Sequence, residues 1–155
     1  MYLLVVELKD FSAAHRLIKG YVGKCNHLHG HNYALKIRLG SNQLASDDLV
    51  IDFSVVRKIC DQWVQSTIDH CTLVCQDDEE LLDFLTAKQQ KHFILAGNTT
   101  VECLAKVIFE HLSQEIARRC PGPFQLQEVE VSESKHCSVI YSQANQMKTG
   151  HSCGE

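Results

Sequence analysis

The chain reads as an α+β domain, an antiparallel four-stranded sheet with helices on one face. Period-two alternation of apolar residues occurs near both ends of the chain, whereas stripes of period 3.6 fill the middle. Strands grouped outside a helical block favour α+β over an alternating α/β arrangement. A length of 155 residues suits one domain able to bury its own core.

The elements follow in order. Residues 2–14 form an extended run rich in Leu, Val and Phe that ends at Phe11-Ser12-Ala13-Ala14-His15, where small residues leave room around the imidazole. Residues 18–24 contain two glycines and read as a loop. From His29 to Leu39 the alternation is clean: Tyr33, Leu35, Ile37 and Leu39 share a face with His29 and His31, and Lys36 and Arg38 lie opposite. The polar stretch 41–48 is a turn. Asp52 or Ser54 can cap a helix with Val56, Ile59, Cys60, Trp63 and Val64 on one face, ending near Asp69-His70. The run Asp77-Asp78-Glu79-Glu80 before Leu81, Leu82 and Leu85 predicts a short helix with acids at its positive end.

A second long helix starts around Asn98-Thr99-Thr100. Its stripe is Val101, Leu104, Ala105, Ile108, Phe109, Leu112 and Ile116, and Pro121-Gly122-Pro123 terminates it. Thr99-x-x-Glu102 fits a capping box. Val129 and Val131 alternate toward Glu133, and Val139 and Tyr141 follow after a tight connection, giving two further strands. Residues 1–142 are therefore expected to form the domain and 143–155 a polar, flexible tail.

The composition, 45% apolar and 22% charged with net charge −4, carries no footprint for nucleic-acid binding. No stretch resembles an export signal or a membrane span, so a cytoplasmic protein is expected. In that setting the eight cysteines read as free thiols, and Cys71-x3-Cys75 is a weak metal signal. A phosphorylated substrate would need local cations, for which Arg16, Lys19 and Lys24 are candidates.

The densest chemistry lies in Cys25-Asn26-His27-Leu28-His29-Gly30-His31. His29 and His31, two apart on a strand, point to one side, and His15 at the end of the neighbouring strand is the best third zinc ligand. His27 lies before the strand and is accessory. Cys25 allows two readings: a fourth ligand closing a structural zinc site, or a free thiol acting as base or nucleophile. Asp69 can orient His70, although the pair alone reads as a solvated helix end. Glu133 sits on an otherwise apolar face, where a carboxylate must be paired, exposed at the strand end or used for binding; adjacent N–H donors of a pterin or guanine would suit it.

Jointly, Phe11-Ser12-Ala13-Ala14-His15-Arg16-Leu17, Cys25-x3-His29-Gly30-His31-Asn32-Tyr33, Ile51-Asp52-Phe53, Asp69-His70, Thr100-x-Glu102 and Val131-x-Glu133-Ser134 resemble the 6-pyruvoyltetrahydropterin and 6-carboxytetrahydropterin synthases. The resemblance spans residues 11–134. It implies a T-fold whose subunits join sheets around a barrel, commonly a hexamer of two trimers with active sites between subunits. It implies zinc on His15, His29 and His31, and Cys25 with Asp69 and His70 as proton-transfer groups. Pterin binding falls to Glu133, Thr100 and Glu102. The implied substrate is 7,8-dihydroneopterin triphosphate. The compact Cys-x3-His-Gly-His spacing looks like the 6-carboxy (queuosine) branch, with the 6-pyruvoyl product as the alternative. Residues 73–97 are longer than in compact 6-carboxy enzymes, and Thr99 stands where many relatives have proline. A structural zinc module and a thiol-based redox or metal-handling protein are the competing classes.

Overall fold

The computed structural model describes residues 1–143. The long strand β3 (His29–Ser41) is the spine: Tyr33, Leu35, Ile37 and Leu39 are at most 1% exposed, so its alternation puts one apolar face inward. β1 (Tyr2–Glu7) and β2 (Phe11–His15) pair antiparallel with consecutive stretches of β3. The predicted single run over 2–14 is thus one ladder broken once. Between Glu7↔Lys36 and Phe11↔Tyr33 the first strand advances four residues and β3 three. That extra residue is a bulge, which inverts which residues face inward. Val6 and Leu8 are buried before it, and Phe11, Ala13 and His15 after it.

On its other side β3 pairs with β6 (Phe124–Ser132), which pairs in turn with β7 (Ser138–Ser142). β6 starts earlier than its alternation suggested. Between Glu128↔Arg38 and Leu126↔Leu39 it advances two residues against one, and burial switches from Phe124 and Leu126 to Val129 and Val131.

The expected four-stranded antiparallel sheet must be enlarged. Two further strands, β4 (Cys71–Cys75) and β5 (His92–Leu95), extend it in parallel from β2, in a seven-stranded mixed sheet ordered β5-β4-β2-β3-β6-β7 with β1 also on β3. The stretch 73–97 is a strand-helix-strand crossover, the connection that parallel pairing demands. Its helix, α2 (Glu79–Ala87), is capped by Asp78 and buries Leu81 and Leu85 against Val74.

The other helices cover the apolar face. α1 (Phe53–Thr67) is capped by Asp52, whose carboxylate accepts from Ser54 N at 2.7 Å, and buries Val56, Ile59, Cys60 and Val64. α3 (Val101–Arg119) buries Leu104, Ala105, Ile108, Phe109, Leu112 and Ile116 in the core shared with α1 and the sheet. The capping box read at Thr99-x-x-Glu102 is not formed, because the cap lies one residue later. Thr100 is the N-cap, accepting from Cys103 N at 3.3 Å, and this leaves Glu102 exposed in the first turn.

Burial pushes the Cys60 thiol up to about 12 and the Cys71 thiol up to about 11, so both behave as small apolar side chains. Among the described residues no helix is long and apolar enough to cross a membrane. The predicted tail over 143–155 lies, from 144 onward and with Cys153, outside the described residues.

Candidate active site

The bulge before Phe11 decides the site. It places His15 opposite His29 in the ladder and on the inward face of β3, with His31 two residues along on the same face. Glu133, the first residue after β6, keeps the parity of Val129 and Val131 and arrives beside them. One ligand atom from each of His15, His29, His31 and Glu133 can be chosen so that all lie within 4.8 Å of one another. All three histidines expected as ligands are brought together, and the carboxylate expected to bind a heterocycle stands against them.

Backbone carbonyls set the rings. His15 Nδ1 donates to Thr99 O at 2.7 Å, and His29 Nδ1 donates to His27 O at 2.7 Å. A carbonyl only accepts, so each Nδ1 carries the proton and each Nε2 presents a lone pair. His27, left accessory in the sequence, contributes its main chain rather than its ring. The Nε2 atoms of His15 and His29 face each other at 3.1 Å. Two lone pairs so close repel unless a cation lies between them. A tetrahedral zinc with bonds of about 2.0–2.1 Å holds its nitrogens roughly 3.3 Å apart. His31 Nε2 is buried and lacks a hydrogen bond; Glu133 Oε1 approaches it to 2.8 Å without hydrogen-bond geometry. The donor set, its preset tautomers and this orphaned nitrogen fit a zinc ion. Burial, helped by the neighbouring imidazoles, lowers the pKa of His15 against the pull of Thr99 O and Glu133, which favours the neutral form that ligation needs.

Cys25 lies in a short 3₁₀ turn (Lys24–Asn26), partly buried and outside the converging group. The closed structural site with Cys25 as fourth ligand is therefore not formed. Instead the neighbouring Cys25 thiol raises the pKa of the Tyr21 phenol. Asn26 ties the turn together: Oδ1 accepts from Gly23 N at 3.0 Å, and Nδ2 donates to Leu17 O at 2.7 Å and Tyr21 O at 2.8 Å. A Cβ at Gly23 would come within 2.8 Å of the Tyr21 hydroxyl, so glycine is what lets the phenol lie there.

Asp69 and His70 do pair. Asp69 Oδ2 lies 2.9 Å from His70 Nδ1, and Oδ1 accepts from Ser12 N at 2.9 Å. Burial works against the Asp69 carboxylate, but the Ser12 amide, His70 and Lys91 outweigh it and hold its pKa below the usual range. His70 adopts φ 56°, its backbone N donates to Ser12 O, and its side chain is 81% exposed. It borders a surface cavity of about 520 Å³ that Ser12, Ala14 and Asn32 line together with His31. Within one chain His70 stays exposed and outside the converging group.

Two of the three cations expected to meet phosphate are already occupied. Arg16 binds Asp78 through Nε at 2.7 Å and Nη2 at 2.6 Å and also contacts Glu80, while Lys19 pairs with Asp77. Among the described residues Lys24 has no acidic partner within ion-pair distance. Sequence reasoning missed this latch because the acids lie about sixty positions downstream. It missed the carbonyls of Thr99 and His27 because a main-chain acceptor leaves no signature in residue type.

Comparison with known proteins agrees with this geometry. Residues 4–144 match the family described as 6-pyruvoyl tetrahydropterin synthase. The 6-carboxy-5,6,7,8-tetrahydropterin synthase of Rickettsia typhi is 32% identical over 135 residues, covering 84% of this chain and 93% of that protein. The protein of the same name from Haemophilus influenzae is 32% identical, covering 68% and 79%. Among solved structures, an uncharacterized protein from Wolinella succinogenes superposes with TM-score 0.76 at 19% identity, covering 92% of this chain and 98% of that one. The 6-pyruvoyl tetrahydropterin synthase of Caenorhabditis elegans superposes with TM-score 0.63 at 25% identity, covering 93% and 98%.

Proposed function

Because the chain belongs to the 6-pyruvoyl tetrahydropterin synthase family, we propose that it is a zinc-dependent lyase acting on 7,8-dihydroneopterin triphosphate. The products are 6-carboxy-5,6,7,8-tetrahydropterin, acetaldehyde and triphosphate, as needed for 7-deazapurine (queuosine) synthesis. The observation that carries this reading is the convergence of three imidazoles with a carboxylate at the mouth of their cluster. The names of the relatives and the compact Cys25-x3-His29-Gly30-His31 spacing favour the 6-carboxy product over the 6-pyruvoyl one.

His15, His29 and His31 hold zinc through Nε2, and the bound ion supplies Lewis acidity to the side-chain hydroxyls of the substrate. Glu133 accepts the paired N–H donors of the pterin ring, a charge-assisted contact that fixes its orientation. Thr100 and Glu102, at the start of α3, assist it. Cys25 exchanges a proton with the substrate side chain. Asp69 holds His70 by Nδ1, which leaves Nε2 of an exposed imidazole for the second proton transfer. Since His70 stands exposed outside its own cluster, it serves the site of a neighbouring subunit, in a cytoplasmic homohexamer built as a dimer of trimers. Lys24 is the remaining cation for the triphosphate.

Incubation of the purified protein with zinc and 7,8-dihydroneopterin triphosphate tests the reading. Acetaldehyde together with a 6-carboxypterin is expected, and a 6-pyruvoyl product without acetaldehyde would move the chain to the other branch.

A further inference from the structure

Resting on the metal site just described, we propose that Thr99 is a positioning residue for His15, and that its hydroxyl tunes the metal affinity of the whole cluster. Thr99 is 1% exposed and makes two contacts on one short segment. Its carbonyl receives His15 Nδ1–H at 2.7 Å, and its hydroxyl donates to the carbonyl of Arg16, the next residue, at 2.9 Å. The hydroxyl therefore grips the main chain directly beside the ring that the carbonyl orients.

Everything around this clasp is itself fastened. Asn98 Oδ1 accepts from Ile18 N at 3.1 Å, Arg16 is held by Asp78, and Thr100 begins α3 as its cap. The hydroxyl bond spans the two fastened pieces at the point where the ring needs a fixed carbonyl. A ligating imidazole depends on such an outer partner for both its tautomer and its direction, and loss of the partner typically weakens metal binding about 10- to 100-fold. Removing the hydroxyl leaves the carbonyl in place but free to turn, so the lower end of that range applies.

The test uses the full-length, metal-stripped chain and zinc titration against a chromophoric chelator. Thr99→Val keeps the volume and removes the donor; about tenfold weaker zinc binding is expected, with a changed cobalt(II) spectrum. Thr99→Ser keeps the donor and should bind within about threefold of the parent. Valine binding within twofold of the parent, or serine as weak as valine, would overturn the proposal. A second measurement needs no variant: ¹⁵N spectra of the metal-free parent should show His15 protonated at Nδ1, and an Nε2–H tautomer would overturn it even if Thr99→Val fails to fold. A parent chain that binds no zinc would instead overturn the metal reading itself, and this proposal with it.

Discussion

Replacing Asp78 by asparagine removes one charge from the latch that ties α2 to the residue after His15. Asp78 accepts two bonds from Arg16, at 2.6 and 2.7 Å, with side-chain exposures of 5% for the acid and 25% for the arginine. Asparagine can still cap α2 through its carbonyl oxygen, but its amide sets donors against the guanidinium. Hydrogen bonds to a charged group contribute about 1.5–3 kcal/mol, and the open side of Arg16 lowers the upper end through solvent screening. A loss of about 2 kcal/mol at pH 7 follows, or roughly 4–8 °C in Tm for a chain of this size. The Arg16 guanidinium, outweighing burial, holds the Asp78 carboxyl below the usual range. Its contribution is therefore fully present above the unfolded-state value near 4 and is lost as pH falls through the folded value. Urea unfolding of the metal-free chain, followed by the single tryptophan, Trp63, at fixed protomer concentration, reads both effects. Parent and variant should differ by about 2 kcal/mol at pH 7 and converge as the pH falls below the lowered folded-state value of Asp78. A difference under about 0.5 kcal/mol at pH 7, or one that stays constant in acid, would refute the latch.

Three further outcomes follow from the site. Cys25→Ala should keep stoichiometric zinc by elemental analysis while turnover falls about 100-fold or more; loss of metal would restore the thiol to the ligand set. Glu133→Gln should leave zinc bound to the three imidazoles and raise KM for the pterin more than it changes zinc affinity, whereas release of zinc would make Glu133 a ligand instead of an anchor. Thr100→Ala should cost about 1 kcal/mol in thermal or urea unfolding through loss of the α3 cap, and Glu102→Ala much less, because Glu102 makes no capping-box bond.

The two long helices were legible because their stripes repeat every three to four residues, and a local period survives whatever the rest of the chain does. His29 and His31 were legible for the same reason, as was Glu133, since parity within an unbroken strand assigns a face. The helix α2 was foreseen from the acidic run before Leu81, although its cap at Asp78 was not.

What residue order by itself determined, then, was the α+β class, the helices and the choice of the three imidazoles, while the place of Glu133 beside them came from the fold. Tertiary structure decided the rest. Two bulges invert parity, at residues 8–10 and again at Gln127, so period-two reading lost Phe124 and Leu126, and only pairing with β3 shows why His15 and His29 face the same way. β4 and β5 went unread because both are short strands stabilised by parallel partners far away in the chain. The ring-setting carbonyls of Thr99 and His27, the neutralisation of Arg16 and Lys19, and the pairing of His70 with Asp69 are likewise contacts made in space. Main-chain acceptors belong to every residue alike, and ion pairs form between whichever charges folding brings together, so neither leaves a local pattern to read.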